Sequence, residues 1–273
     1  MSYSFKITPE DFSVAQTLEC GQCFRFTKLD DGKYEYIARD KRLVLEQGND
    51  FVAIEGIDEN EFCSVFSTHF SLVDGYDQIK QELSKDPILA TAIKYGSGIR
   101  VMKQPFWETL CSFIISQNNN IPRIKGIIGR LCESFGEQNG ELCTFPSAEK
   151  LADFEPEDLA ALRCGFRARY IIDAAKKVAR GEVSEQEIST MNLVQARKSL
   201  MTIVGVGPKV ADCVLLFGAD RPDAFPIDIW MKKAMSALFP QGLPECALPY
   251  AGIAQQYIFH FVRNTEVGRS LVK

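Results

Sequence analysis

The residues best able to do chemistry lie in Leu200-Met201-Thr202-Ile203-Val204-Gly205-Val206-Gly207-Pro208-Lys209-Val210-Ala211-Asp212-Cys213. One helix ends near Thr202, Gly-Val-Gly makes a tight turn, and Pro208 opens a second helix. Gly205 and Gly207 permit positive φ and close approach of another backbone. The free N–H groups at the second helix's start form a phosphate site. A hairpin of this kind grips a nucleic-acid backbone without reading sequence. An ordinary αα-hairpin has the same spacing. Lys209 adds a reactive group. It sits in the first turn, where the helix dipole disfavours positive charge, and burial acts the same way. An amine made neutral is a nucleophile that forms a Schiff base, whereas an isolated lysine is ordinarily a solvated surface group. Nineteen residues on, Asp228 sits in Pro226-Ile227-Asp228-Ile229-Trp230. It suits an N-cap for the helix that follows, and also an acid/base or electrostatic partner for Lys209. The two roles are compatible.

The elements that must position these groups fall into two kinds. Residues 22–54 read as a meander of strands: Phe24-Arg25-Phe26, Tyr34-Glu35-Tyr36, Leu43-Val44-Leu45 and Phe51-Val52-Ala53-Ile54. Turn signals at Asp30-Asp31-Gly32, Arg39-Asp40-Lys41 and Gly48-Asn49-Asp50 separate them. After Glu59 the apolar spacing is helical, through Ile121–Phe135, Arg167–Ala179, Val194–Thr202, Pro208–Phe217, Ile227–Phe239 and Ala247–Val262. The expected class is α+β. An antiparallel sheet with helices occupies 1–95, and an all-helical body occupies 96–273, with the hairpin at about 194–217.

The chain has 273 residues, 46% apolar and 25% charged, which excludes disorder as the main state. Its apolar runs are far shorter than a membrane span. The start, Met1-Ser2-Tyr3-Ser4-Phe5-Lys6, has no basic segment before an apolar run. A cytoplasmic protein is therefore expected, or a nuclear one in a eukaryote. The nine cysteines are odd in number and scattered, which favours reduced thiols. The net charge of −5 argues against nucleic acid when taken alone. Local charge decides binding, however, and Arg163–Arg180 holds six basic residues with a single acid, Asp173.

Val204–Cys213 followed by Phe225-Pro226-Ile227-Asp228 resembles the helix-hairpin-helix/Gly-Pro/Asp signature of base-excision DNA glycosylases. The Lys-Val-Ala-Asp-Cys version resembles the 8-oxoguanine DNA glycosylase family. Four further segments resemble that family in order: Cys20-Gly21-Gln22-Cys23-Phe24-Arg25-Phe26, Ser116–Ile124, Gly165-Phe166-Arg167-Ala168-Arg169-Tyr170 and Ala254-Gln255-Gln256-Tyr257-Ile258-Phe259. The resemblance therefore spans nearly the whole chain. It implies a TATA-binding-protein-like N-terminal sheet and a helical glycosylase body.

It also implies a bifunctional enzyme that flips 8-oxoguanine out of duplex DNA. Lys209 would attack C1′, and Asp228 would stabilise charge on the sugar. Gly21 would accept a hydrogen bond from N7–H of the lesion through its carbonyl, which repels the N7 lone pair of guanine. Gln255 would meet the Watson–Crick edge, and Phe259 and Cys213 would sandwich the base. Asn118 would fill the vacated space, and Arg123 and Arg167 would contact the estranged cytosine. Gly205 and Gly207 would hold the DNA backbone. Phe166 stands where eukaryotic members carry a tyrosine wedge, and Trp230 where they carry a histidine that contacts phosphate. These departures resemble bacterial members. The family hairpin also implies a structural monovalent cation on the carbonyls of Met201, Ile203 and Val206, with no other cofactor required. The last 25 residues contain no cysteine, which argues against an iron–sulfur cluster. The expected partner is 8-oxoguanine-containing duplex DNA, preferably with cytosine opposite, bound by a monomer away from any membrane. Two alternatives stay open: a glycosylase for another damaged base, and a hairpin module that binds DNA without catalysis.

Overall fold

A computed structural model describes residues 1–72 and 75–271. Its N-terminal part is a five-stranded antiparallel sheet: β1 (Ser2–Lys6), β2 (Phe26–Lys28), β3 (Tyr34–Ala38), β4 (Lys41–Gln47) and β5 (Phe51–Glu55). The spatial order is β1-β5-β4-β3-β2. Register sets Tyr34 opposite Leu45, Tyr36 opposite Leu43, and Leu45 opposite Ile54. Alternation along each strand puts these side chains on one face, where they pack on Phe12, Phe62, Phe66 and Phe70.

The meander differs from expectation at both ends. β1 pairs with β5 from Ser2↔Glu55 to Lys6↔Phe51, adding an edge strand to the expected four. β2 starts at Phe26 rather than Phe24. Phe24 instead points into the helical body, edge-on to Phe113 at 5.7 Å between centroids. Arg25 bonds Glu108 at 3.3 Å and the carbonyl of Cys143 at 2.9 Å. Phe24 and Arg25 thus turn their side chains to the helices, while Cys23 stays in the sheet core.

The second core is helical. It runs through Phe106–Ser116, Ile121–Phe135, Arg167–Ala179, Pro208–Gly218 and Ala251–Asn264. Short polar caps start several of these helices. Asn120 accepts from the N–H of Arg123 at 3.0 Å, with Pro122 in the first turn. The helices Tyr76–Leu83 and Pro87–Tyr95 lie within the stretch 1–95. Their buried residues Leu83, Leu89 and Ala92 nevertheless join the helical core. The expected helix over Ala247–Val262 is interrupted, because Pro249 cannot donate an N–H. A 3₁₀ turn at Glu245–Tyr250 precedes the helix Ala251–Asn264. No helix among the described residues is long and apolar enough to cross a membrane. All nine cysteines are free thiols.

His69 is fully buried under the sheet. Its Nε2 lies 2.9 Å from the Tyr36 hydroxyl and its Nδ1 has no partner. Burial, assisted by the charge of Arg39, lowers its pKa to about 3. Between its unfolded value of about 6.5 and about 3, the unfolded chain binds a proton that the folded chain does not. Stability from the neutral ring is complete above the unfolded value and is lost as pH falls through this window. The melting temperature is expected to fall as pH is lowered from 7 toward 3, and less steeply for His69→Gln. Calorimetric scans across that range check the slope.

Candidate active site

The hairpin is built from both sides. Its first helix, Leu193–Leu200, is capped by Asn192, which accepts from the N–H of Gln195 at 3.0 Å. The second, Pro208–Gly218, has Gly207 at its N-cap and no side-chain cap. Its first-turn N–H groups therefore have no side-chain partner and can meet an anion. Gly205 has φ +80, and a Cβ there would fall 2.4 Å from the ring of Tyr170. The turn lies against that ring because Gly205 has no side chain. Gly205→Ala is expected to cost about 1–3 kcal/mol through strain and overlap. Gly207 has φ −97 and nothing within 4 Å of an added Cβ. Gly207→Ala should therefore stay within about 0.5 kcal/mol. Urea unfolding of both variants measures the contrast.

Asp173 holds the same turn from the Arg167–Ala179 helix. Its Oδ2 accepts from the N–H of Val204 at 2.7 Å and from Lys177 Nζ at 3.1 Å. Lys177 also donates to the carbonyl of Thr202. The sequence reading treated Asp173 only as the lone acid in a basic run. Its signal was the i,i+4 spacing to Lys177.

Lys209 is half-buried, with Nζ 5.1 Å from the centroid of Phe113. Phe113 stacks on Phe217 at 5.4 Å. One turn beyond Lys209, Cys213 is buried, and burial pushes its thiol pKa up to about 11. The positive charge of Lys209 opposes that rise, while Asp228 adds to it. Lys209, Cys213 and Asp228 therefore share one neighbourhood. Asp228 caps the helix Ile229–Leu238, its Oδ1 accepting from the N–H of Met231 at 2.8 Å. No ion pair within 4.0 Å joins Lys209 to Asp228 among the described residues.

Gly21 and Phe259 meet although they are far apart in sequence. Gly21 has φ +88, and a Cβ there would lie 3.9 Å from Phe259 Cε1. The guanidinium of Arg263 lies 5.0 Å from the centroid of Phe259. Gln255, one turn before Phe259, is buried and accepts from Gln256 Nε2 at 2.6 Å. The Gly21 loop is pinned by its neighbour Gln22, whose role sequence reasoning missed. Gln22 Nε2 donates at 2.8 Å to the carbonyls of Thr17 and Arg100, and its Oε1 accepts from Met102 N–H at 2.8 Å. A buried amide bonded at both ends fixes the loop beside it.

Four of the expected DNA-facing residues, Asn118, Arg123, Phe166 and Arg167, lie in one second cluster. Asn118 is exposed with φ +48, and Arg123 is exposed, with Nη2 3.5 Å from the carbonyl of Arg163. Phe166 is 47% exposed and Trp230 41%, which suits contact with a partner. Arg167 is different, being only 2% exposed. It donates to the carbonyls of Cys164 at 3.1 Å, Asn118 at 3.1 Å and Gln117. In this structure its guanidinium braces the loop that carries Asn118 rather than facing outward. Burial, and then the charge of Arg123, lowers its pKa. The guanidinium also lies 4.4 Å from the ring of Phe166, and Phe166 stands edge-on to Tyr170 at 5.6 Å. A line of contacts thus runs from Gly205 through Tyr170 and Phe166 to the Asn118 loop.

The carbonyls of Met201, Ile203 and Val206 lie in the hairpin turn. That of Ile203 accepts from Val206 N–H at 3.0 Å and keeps a second lone pair. Lys177's ammonium on the adjacent Thr202 carbonyl is a cation already held by this turn. Neutral oxygens of this kind suit an ion of low charge. Among the described residues, no group of His, Cys, Asp and Glu could hold a metal.

Residues 4–110 match the model of the 8-oxoguanine DNA glycosylase N-terminal domain. Residues 111–242 match that of the HhH-GPD superfamily of base excision DNA repair proteins. The solved structure of MBOgg1 with a low-affinity DNA ligand is 40% identical, with a TM-score of 0.87 over 100% of this chain and 96% of that one. The 8-oxoguanine glycosylase/lyase of Clostridium acetobutylicum, bound to duplex DNA with cytosine opposite 8-oxoguanine, is 35% identical. Its TM-score is 0.85 over 96% of this chain and 97% of that one. The N-glycosylase/DNA lyase of Saccharomyces cerevisiae is 29% identical over 85% of this chain and 70% of its own length.

Proposed function

The chain belongs to the 8-oxoguanine DNA glycosylase family of DNA glycosylases with lyase activity, and on that premise we propose that it excises 8-oxoguanine from duplex DNA, preferably opposite cytosine, through Lys209. The observation that carries this reading is the place of Lys209. Its Nζ lies 5.1 Å from the centroid of Phe113, and Lys209 and Asp228 both act through their charge on the Cys213 thiol.

Lys209 gives up its ammonium proton to water, and the neutral Nζ attacks C1′ of the flipped nucleotide. The glycosidic bond breaks, its electron pair leaves with the base, and the base takes up a proton. The amine then forms a Schiff base as the sugar ring opens. Loss of a C2′ proton breaks the C3′–O bond, leaving the nicked strand. Asp228 stabilises the positive charge that builds on the sugar, and its cap bond to Met231 holds the carboxylate still. Gly21 accepts from N7–H, Gln255 meets the Watson–Crick edge, and Phe259 and Cys213 stack on the base faces. A protonated thiol at Cys213 suits an apolar wall.

Phe166 wedges into the kinked step and Asn118 fills the gap. Arg123 donates to the opposite cytosine, and Arg167 joins it on release from the carbonyls of Gln117 and Asn118. Gly205, Gly207 and Trp230 hold the backbone. A monovalent cation on the carbonyls of Met201, Ile203 and Val206 would add positive charge beside a phosphate. The protein acts as a monomer where the DNA lies, with the nucleoid in the cytoplasm or in a nucleus.

Borohydride trapping on duplexes with one 8-oxoguanine opposite each of the four bases tests the reading. A covalent adduct is expected, strongest opposite cytosine and absent from undamaged duplex. Base release without trapping would sink the lyase route. Neither release nor trapping would leave a glycosylase for another lesion, or a module that only binds.

A further inference from the structure

Gln256 follows Gln255 in the Ala251–Asn264 helix, and both side chains are buried. Gln256 Nε2 donates to Gln255 Oε1 at 2.6 Å, while its own Oε1 is buried without a partner. A glutamine amide carries an acceptor at one end and a donor at the other. Left alone, Gln255 can present either end to a ligand. Donation from Gln256 removes that freedom. It holds Oε1 of Gln255 toward Gln256, which turns Nε2 of Gln255 the other way and leaves one lone pair of Oε1 open. Turning Gln256 over would put an NH2 where the unpaired oxygen now lies. Buried N–H groups without partners are rarer than buried oxygens without them.

We propose that Gln256 is a positioning residue that sets the polarity of Gln255, making the site selective for 6-oxo purines over 6-amino purines. The inference rests on the reading of Gln255 as the group that meets the Watson–Crick edge. A 6-oxo purine has an acceptor at O6 beside a donor at N1–H. It matches an amide offering Nε2–H to O6 and a free Oε1 lone pair to N1–H. A 6-amino purine has the reverse polarity, with an amino group at C6 and a bare N1. The locked amide would set N–H against N–H and lone pair against lone pair, which is costly in a buried site. Both 8-oxo purines carry N7–H, so the carbonyl of Gly21 does not separate them. Gln255 must, and Gln256 determines which way Gln255 reads.

The test is single-turnover excision at pH 8 from two duplexes, one with 8-oxoguanine and one with 8-oxoadenine, each opposite cytosine. Wild type, Gln256→Leu, Gln256→Met and Gln256→Glu are compared, with rate and half-saturating concentration read separately. Leu and Met, which keep bulk and lose the donor, should lower the 8-oxoguanine to 8-oxoadenine rate ratio at least about tenfold. An ionised Glu only accepts and draws Nε2 of Gln255 toward itself, so it should lower the ratio further. A purely structural role would slow both substrates alike. A ratio within about twofold of wild type in every folded variant overturns the proposal, since a site selecting by hydrogen bonds is sensitive to their loss. So does a wild type that removes both bases equally well. A wild type that removes neither base overturns the functional reading itself, and the lock with it.

Discussion

Lys209→Gln is expected to abolish the borohydride-trapped adduct and to slow base release at least about 10³-fold, since the nucleophile of both steps is gone. The substitution leaves an unbranched polar side chain, one atom shorter, beside Phe113. What the fold loses is the contact of an ammonium with that ring, set at 5.1 Å, and such contacts contribute about 0.5–1 kcal/mol. The melting temperature should therefore drop by no more than about 4 °C in a chain of this size. Duplex binding should persist, because the hairpin N–H groups remain. An adduct that survived the substitution would assign the chemistry to another amine. Loss of binding together with loss of the adduct would make Lys209 a DNA-contact residue.

Asp228 offers a cleaner separation, because its two roles use different properties of one side chain. As a cap it needs an oxygen toward the N–H of Met231, and asparagine supplies one as well. As an electrostatic partner it needs a negative charge, which asparagine lacks. Asp228→Asn is expected to leave thermal stability near wild type and to slow base release about 10²–10³-fold. Asp228→Ala should be as slow, and should also lose about 1 kcal/mol from the missing cap. Single-turnover rates and melting curves on the same preparations distinguish the two losses. Equal stability in both variants would mean that the cap bond contributes nothing. An active asparagine variant would mean that charge is not what Asp228 supplies.

Lys209 and Asp228 were legible because the hairpin and the cap are local, each announced by glycine, proline or an acid in an apolar run. β3 to β5 were legible for the same reason, since their turns and alternation lie within a few residues. β1 was not. Tyr3 and Phe5 alternate too, but only pairing with Phe51–Glu55 makes that stretch an edge strand. Phe24 read as a strand residue until the helical body supplied Phe113 as its neighbour. Residues that act across long separations left almost no trace in one dimension. Gln22 reaches Arg100 across 78 positions, and Asp173 reaches Val204 across 31. Gly21, read from its own residues, is a turn glycine. Its place against Phe259 is a fact of tertiary packing. Arg167 was legible as a residue for the estranged cytosine, but its bonds to the nearby carbonyls of Cys164 and Asn118 were not.

Tyr170 touches Gly205 with one part of its ring and stands against Phe166 with another. On the proposed reading, the turn that would hold a phosphate and the ring that would enter the base stack thus share one aromatic support. A duplex gripped by both would have to meet their common spacing. Where meeting that spacing calls for bent DNA, smooth bending of a short site costs of order 1–6 kcal/mol, depending on its sequence. Stretches that bend easily would then engage both ends at lower cost than stiff ones.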